Sequence, residues 1–140
     1  MSSKLKDKQE KIIKFLDSLL KESRKGSLII VEGSKDVKVL RKLGIEGSII
    51  TCKTKGNSFL DVISNIKRIN PNQVILLFDF DKRGKASTKF FQQELEHNKI
   101  KYNLKYWHEL FSIAGKEIQY IESLDAYLFN LNNKIGVNRF

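Results

Sequence analysis

Two stretches of this sequence decide the fold: SLIIVEGSKD at residues 27–36 and QVILLFDFDKRGK at residues 73–85. Each begins with a short, apolar run of branched aliphatic residues, which is typical of a strand buried on both faces of a sheet. Each run ends abruptly at acidic residues and continues into a segment with helical spacing. The pattern of strand, acidic turn and helix therefore occurs twice, about 45 residues apart.

The rest of the chain continues this alternation of strands and helices. It favours an α/β fold with a doubly wound, four-stranded, mainly parallel sheet flanked by helices, in the strand order 2-1-3-4. Ser34 is the expected N-cap of the second helix. We expect residues 1–26 to form a helix on or beside the core, and residues 27–140 to form one domain with a helical extension from about residue 106. Strands are predicted at 27–31, 48–52, 73–78 and 100–104, and helices at 3–24, 34–43, 58–69, 83–96, 106–114 and 117–131.

Composition restricts the class of protein. The chain has 140 residues, of which 41% are hydrophobic and 30% charged, and its net charge is +10. Such an excess suits a polyanionic partner, although a merely soluble basic surface is an alternative. The single cysteine argues against disulfides and cysteine zinc clusters, and no apolar run approaches the length of a membrane span. With no secretory signal in its polar first residues, we expect a cytoplasmic protein without membrane contact.

Carboxylates stand where the two central strands end. Glu32 follows the first strand, and Asp79 and Asp81 follow the third. In the order 2-1-3-4 these strand ends border the switch point, where ligands bind. Three converging carboxylates would hold Mg²⁺ or Mn²⁺, whose open positions bind phosphate oxygens. Taken singly, Glu32 could be a solvated strand end, and Asp81 could cap the helix near Arg83.

Together the two stretches resemble the Toprim domain, which is shared by bacterial-type primases, type IA and type II topoisomerases and the small ribonuclease that matures 5S ribosomal RNA. The resemblance covers roughly residues 27–105, and the tail is similar to that of small stand-alone archaeal Toprim proteins. It implies that Glu32 is a general acid/base and metal ligand, and that Asp79 and Asp81 hold Mg²⁺. Asp36 would orient a basic residue or fix the crevice, unless it only stabilises its helix. The matching positions are Glu32, Gly33, Asp36, Asp79, Asp81 and Gly84.

Basic residues surround the acidic site in the sequence. We expect six of them to meet phosphates at the mouth of the crevice. Lys38, Arg41 and Lys42 are interpreted instead as a solvated helix face. Phe90, Phe91, Trp107, Phe111 and Tyr120 are assigned to the core rather than to a base-stacking platform. The expected phosphate-binding residues are Lys35, Lys53, Lys55, Lys82, Arg83 and Lys85.

Three functions remain open from the sequence. The leading hypothesis is a Mg²⁺-dependent nuclease or phosphodiester-transfer enzyme acting on RNA or DNA, with Glu32, Asp79 and Asp81 as catalytic residues. The alternative is a non-catalytic adaptor that binds metal and nucleic acid, with a protein partner in RNA processing or DNA repair. A weaker third is a small-molecule phosphatase or nucleotide enzyme that uses the same crevice.

Overall fold

The computed structural model describes residues 3–52 and 58–136. Helices and strands alternate through them as the sequence predicts. The strands are β1 (Leu28–Val31), β2 (Ile49–Thr51), β3 (Val74–Leu76) and β4 (Tyr102–Asn103). The helices are α1 (Ser3–Arg24), α2 (Ser34–Lys42), α3 (Phe59–Ile69), α4 (Lys82–His97), α5 (Lys105–Ala114) and α6 (Leu124–Ile135).

The four strands form one sheet in the order β2-β1-β3-β4, and each neighbouring pair is parallel. The predicted α/β class and strand order are therefore confirmed. Strand β1 lies at the centre, where Ile30 is opposite Ile50 of β2 and Leu76 of β3. Because β1 and β3 are direct neighbours and parallel, the residues that follow them emerge side by side at one edge of the sheet.

Both faces of the sheet are covered, so alternate residues of β1 enter two different cores. Ile29 and Val31 pack in a cluster with residues of α1, α2, α5 and α6. Leu28 and Ile30 pack in a second cluster with α3 and α4. This double coverage explains why the strand sequences are continuously apolar rather than alternating.

Helix α1 contributes its apolar stripe to the first of these cores. Ile12, Phe15 and Leu19 are fully buried there. The helix contacts α5 and α6 along its length. A buried hydrogen bond from Gln9 Nε2 to Asn132 Oδ1, 2.7 Å long, fixes it against α6. Helix α1 is thus packed against α5 and α6 in the core that covers one face of the sheet.

The start of α2 differs from the sequence prediction. Gly33, not Ser34, is the N-cap, and Ser34 is the first helical residue. The carboxylate of Asp36 accepts a hydrogen bond from the Gly33 N–H at 3.0 Å. The carboxylate at the third helical position therefore binds the N-cap amide, as in one half of a capping box.

The predicted helix over 117–131 is wrong in its first half. Residues 121–123 form a short 3₁₀ turn, and α6 begins only at Leu124. The cause is a long-range contact, because the Phe80 N–H donates to the Gln119 carbonyl at 2.7 Å. The chain before α6 is thereby tied to the residues that follow β3, which local spacing does not reveal.

Two of the five aromatic residues assigned to the core are exposed instead. Phe91 is fully buried, and Phe90 and Trp107 are partly buried against the core clusters. Phe111 and Tyr120 each keep 43% of their surface exposed. Phe111 belongs to α5, and Tyr120 belongs to the segment before α6 rather than to a helix. Helical spacing alone made both look internal.

Candidate functional site

Glu32 directly follows β1, and the sheet edge holds it almost completely out of solvent. Its exposed fraction is only 6%. The Cys52 thiol, which follows the neighbouring strand β2, lies 3.7 Å from the Glu32 carbonyl oxygen. A carboxylate that is both buried and charged requires compensating partners. Glu32 is therefore more than the solvated strand end that the sequence left as an alternative.

Asp79, three residues beyond β3, is the principal partner of Glu32. It is 8% exposed, and its carboxyl group is hydrogen-bonded to that of Glu32. Its Oδ1 also accepts the backbone N–H of Ile121 at 2.8 Å. The parallel pairing of β1 with β3 thus brings together two carboxyl groups that lie 47 positions apart in the chain.

The electrostatics of this pair follow from burial. Removal from water raises the pKa of Asp79 from its ordinary 3.8 to about 8, with the hydrogen bond to Glu32 as the next cause. The Ile121 amide opposes this shift by stabilising the charged form. Two neighbouring carboxyl groups therefore share a proton at neutral pH unless a cation replaces it.

Asp36 completes the acidic surroundings from the first turn of α2. It is buried, and burial raises its pKa, with the charges of Glu122 and Glu32 adding to the effect. Its hydrogen bond to the Gly33 amide works in the other direction. Asp36 therefore fixes the Glu32–Gly33 turn and adds negative field to the site.

Asp81 has a structural role at the start of α4. It is the N-cap of α4, and its Oδ1 accepts the Gly84 N–H at 2.7 Å. This capping role is the alternative that the sequence left open. Among the described residues, no three His, Cys, Asp or Glu side chains form a group that could hold a metal ion. The acidic centre is thus a carboxylate pair with further acids around it.

Two glycines shape the site in different ways. A Cβ atom at Gly84 would collide with the backbone carbonyl of Asp79, so α4 packs directly on that residue. In the part of the chain that the structure describes, a Cβ at Gly33 would meet nothing within 4 Å. Gly84 is therefore required by packing, whereas Gly33 borders open space beside Glu32.

The basic residues separate into three groups. Arg83 lies over the pair, with its Nε 3.9 Å from Glu32 Oε1. Lys35, Lys82 and Lys85 are exposed around it. Lys53 and Lys55 lie outside the described residues.

The three cations interpreted as a solvated face are all exposed, and two of them have structural partners. Arg41 donates to the carbonyls of Ile45 and Gly47, at 3.0 and 2.7 Å. Lys42 pairs with Asp125 at 3.2 Å. They stabilise the loop after α2 and its packing on α6.

Sequence reasoning missed the contribution of the segment before α6. Ile121 supplies the amide that binds Asp79, and Glu122 adds charge near Asp36. The only local signal was the IESLDAYL stretch at 121–128, which could not reveal its distant contact.

The carboxylate pair at a parallel switch point agrees with a comparison against protein families. A family model described as the Toprim domain matches residues 26–103. The chain belongs to the Toprim family. As a Toprim protein, it places its family-matching Glu32 and Asp79 at adjacent strand ends, and both motifs lie inside the matched range.

Similar proteins come from archaea and a bacterium. A UPF0292 protein of Methanocaldococcus jannaschii is 41% identical over 120 residues, covering 85% of this chain and 91% of the relative. One from Methanosarcina barkeri is 34% identical, covering 91% and 87% of the two chains. A solved structure from Aquifex aeolicus has a TM-score of 0.66 at 27% identity, and covers 79% of this chain and 94% of that one. The predicted likeness to small archaeal Toprim proteins is confirmed.

Membership of the family carries a general functional meaning. Toprim domains typically bind divalent metal ions and take part in nucleic-acid processing, and the archaeal relatives have family names without a specific function. Within residues 3–52 and 58–136, no helix combines the length and apolarity that crossing a membrane requires.

Proposed function

We propose that this Toprim protein cleaves or transfers phosphodiester bonds in RNA or DNA with Mg²⁺ bound at the Glu32–Asp79 pair. The observation that carries the proposal is the placement of two buried carboxyl groups, Glu32 and Asp79, just after the ends of adjacent parallel strands. Two carboxyl groups in contact form a site for either a shared proton or a cation. The cytoplasm, where nucleic acid and Mg²⁺ are both available, is the compartment that the proposal implies.

The donor atoms suit a hard cation. Mg²⁺ usually takes one or two carboxylates and keeps several waters, and Mn²⁺ accepts the same oxygen ligands. Glu32 and Asp79 would hold the ion, with Asp81 as a further ligand through the oxygen that does not cap α4. Bound there, the ion would polarise the scissile phosphate and stabilise charge on the attacking or leaving oxygen.

The surrounding residues have separable roles in this proposal. Glu32 moves the proton of the nucleophile or leaving group, since it lies at the pair and next to the open space at Gly33. Arg83 stands over Glu32 and is exposed on its outer side, so it can bind a phosphate oxygen. Lys35, Lys82 and Lys85 extend the positive rim, and Lys53 and Lys55 are proposed to do the same.

The experiment is a cleavage assay on end-labelled single- and double-stranded RNA and DNA, with Mg²⁺ or Mn²⁺. Wild type is compared with Glu32→Gln and Asp79→Asn. The matched controls are Glu46→Gln, which lies before β2 at the opposite sheet edge, and Asp17→Asn on the exposed face of α1. We expect metal-dependent cleavage that both site variants lower by at least about 100-fold, with both controls unaffected. Equal cleavage by all five proteins would exclude the site.

A second candidate function is a non-catalytic adaptor that docks nucleic acid and a protein partner. The observation in its favour is the position of Asp81, which is engaged as the cap of α4 and leaves a pair rather than a triad of acids at the centre. An adaptor binds the labelled substrates with the same affinity in wild type and Asp79→Asn, and cleaves none of them. Cleavage by wild type that is lost in Asp79→Asn would reject the adaptor.

A further inference from the structure

Phe111 is an exposed aromatic ring that packs against the segment carrying Asp79 and Asp81. It keeps 43% of its surface in solvent. Its ring packs edge-on against Phe80, with 5.3 Å between centroids. Phe80 stands between Asp79 and Asp81 in the chain. Lys85 Nζ is 5.4 Å from the centroid of the same ring.

The ring is fixed rather than loosely attached. A Cβ at Gly115 would collide with the ring of Phe111 and with its carbonyl, so the ring lies across that glycine. Phe80 is supported in turn by Trp107, at 5.6 Å between centroids. Trp107 is anchored by its Nε1–H, which donates to the Phe78 carbonyl at 2.9 Å. Phe111 therefore loses little conformational freedom on meeting a ligand.

A basic groove adjoins Phe111. The groove has a volume of about 470 Å³ and lies between α1 and α5. Phe111 is part of its lining, together with Lys4, Lys11 and Lys116. Lys8 also lines it and pairs with Glu117. Asp7 is also in the lining and pairs with Lys11 at 3.1 Å. Four lysines against these two acidic residues leave the groove with a net positive charge.

We infer that Phe111 and this groove bind a single strand of nucleic acid that leaves the Glu32–Asp79 site. A base stacks on the Phe111 ring, Lys85 and Lys116 bind the phosphates on either side, and the backbone continues between α1 and α5. This inference rests on the proposed function, which places the start of the strand at the Glu32–Asp79 site. It adds that the substrate is single-stranded.

The aromatic ring argues for a single strand rather than a duplex. Only an unpaired base exposes a face on which an aromatic side chain can stack, whereas duplex bases are already stacked on their neighbours. Lysines that alternate with an exposed aromatic residue are the combination that sequence-tolerant single-strand binding uses. The same elements give α1 a function, since it forms one wall of the groove.

The test measures binding without metal, so that cleavage plays no part. Fluorescence anisotropy is recorded in EDTA with labelled single-stranded RNA and DNA and with the matching duplexes. Phe111→Ala should weaken single-strand binding by about 5- to 100-fold. Phe111→Trp keeps an aromatic ring at this position and should bind single strands like wild type. The matched control is Phe129→Ala on α6, where Phe129 is 46% exposed and lines a different cavity, beside Lys42 and Leu43.

Two further measurements separate stacking from charge. Photo-crosslinking with 5-iodouracil oligonucleotides should label Phe111 or its neighbours, as mapped by mass spectrometry. Lys116→Ala should lower the salt dependence of single-strand binding by about 0.7 in log–log slope, whereas Lys67→Ala on α3 should leave it unchanged.

The inference is overturned if Phe111→Ala binds single strands like wild type, or if duplexes bind equally well and no crosslink maps to α5. These outcomes are distinct from failure of the proposed function. Loss of single-strand binding in Phe111→Ala supports the inference even where no substrate is cleaved. If Glu32→Gln abolishes cleavage but Phe111→Ala binds single strands like wild type, the groove is rejected as a binding site and the proposed active site is supported.

Discussion

Asp79 is the residue whose protonation links the stability of the fold to its proposed function. Its pKa of about 8 in the folded protein stands above the ordinary 3.8, so the folded state holds a proton that the unfolded chain releases. The resulting stabilisation is fully present below pH 3.8 and is lost as the pH rises through about 8.

Metal-free wild type should therefore melt at a lower temperature at pH 8.5 than at pH 6. This drop in melting temperature should be larger in wild type than in Asp79→Asn by at least about 3 °C. Mg²⁺ should recover more of this loss at the higher pH, since its carboxylate ligands must be ionised. Calorimetric melting in EDTA and in Mg²⁺ measures both effects. The same pH dependence in Asp79→Asn would contradict this assignment.

The two glycines at the site should differ in how much their substitution by alanine destabilises the fold. Gly84→Ala places a Cβ against the Asp79 carbonyl and should destabilise the fold by about 1–3 kcal/mol. Gly33→Ala meets no described atom within 4 Å and lies in extended backbone, so it should cost only the poorer capping of alanine, about 0.5–1 kcal/mol. Urea unfolding of both variants measures the difference. Equal destabilisation would show that α4 does not depend on close packing against Asp79.

At the level of elements, the segment before α6 is attached to the sheet edge by the Asp79 carboxylate. Asp79→Asn keeps an oxygen that accepts the Ile121 N–H, whereas Asp79→Ala leaves that buried amide without it. The alanine variant should therefore be less stable than the asparagine variant by about 1–3 kcal/mol. Hydrogen exchange of the Ile121 amide should accelerate in the alanine variant only. Equal exchange in both would contradict the contact.

The elements that the sequence predicted well are those with strong local signals. The continuous apolar runs at β1 and β3 and the long apolar stripe of α1 each correspond to an observed element. The helix predicted over residues 117–123 is not formed, because the Phe80 N–H donates a hydrogen bond to the Gln119 carbonyl in place of helical bonding there. Local periodicity contains no information about such a partner.

The same contrast holds for the site. Strand order placed Glu32 and Asp79 correctly, since parallel neighbours must end at the same edge. The sequence left open whether Asp81 caps α4, and it gave no sign that the Ile121 amide reaches Asp79. Phe111 was misjudged because helical spacing does not distinguish a core ring from one laid across Gly115 at the surface.

At the scale of the whole molecule, the charge of +10 and the acidic centre serve different purposes. Three basic stretches, at 1–25, 33–55 and 82–105, supply the entire excess of charge. The first contributes lysines to the groove along α1, and the third contributes the rim of the carboxylate pair. A general attraction for polyanions thus surrounds a small acidic centre that repels them unless it holds a cation.

The central claim is that the Glu32–Asp79 pair holds one divalent ion. Titration with Mn²⁺, followed by the electron paramagnetic resonance of the free ion at pH 8, tests it most directly. Wild type, Glu46→Gln and Asp17→Asn should bind one Mn²⁺ that Mg²⁺ displaces, and Glu32→Gln and Asp79→Asn should bind it at least about tenfold more weakly. Mn²⁺ bound equally by wild type and both site variants, or by none of these proteins, would contradict the claim.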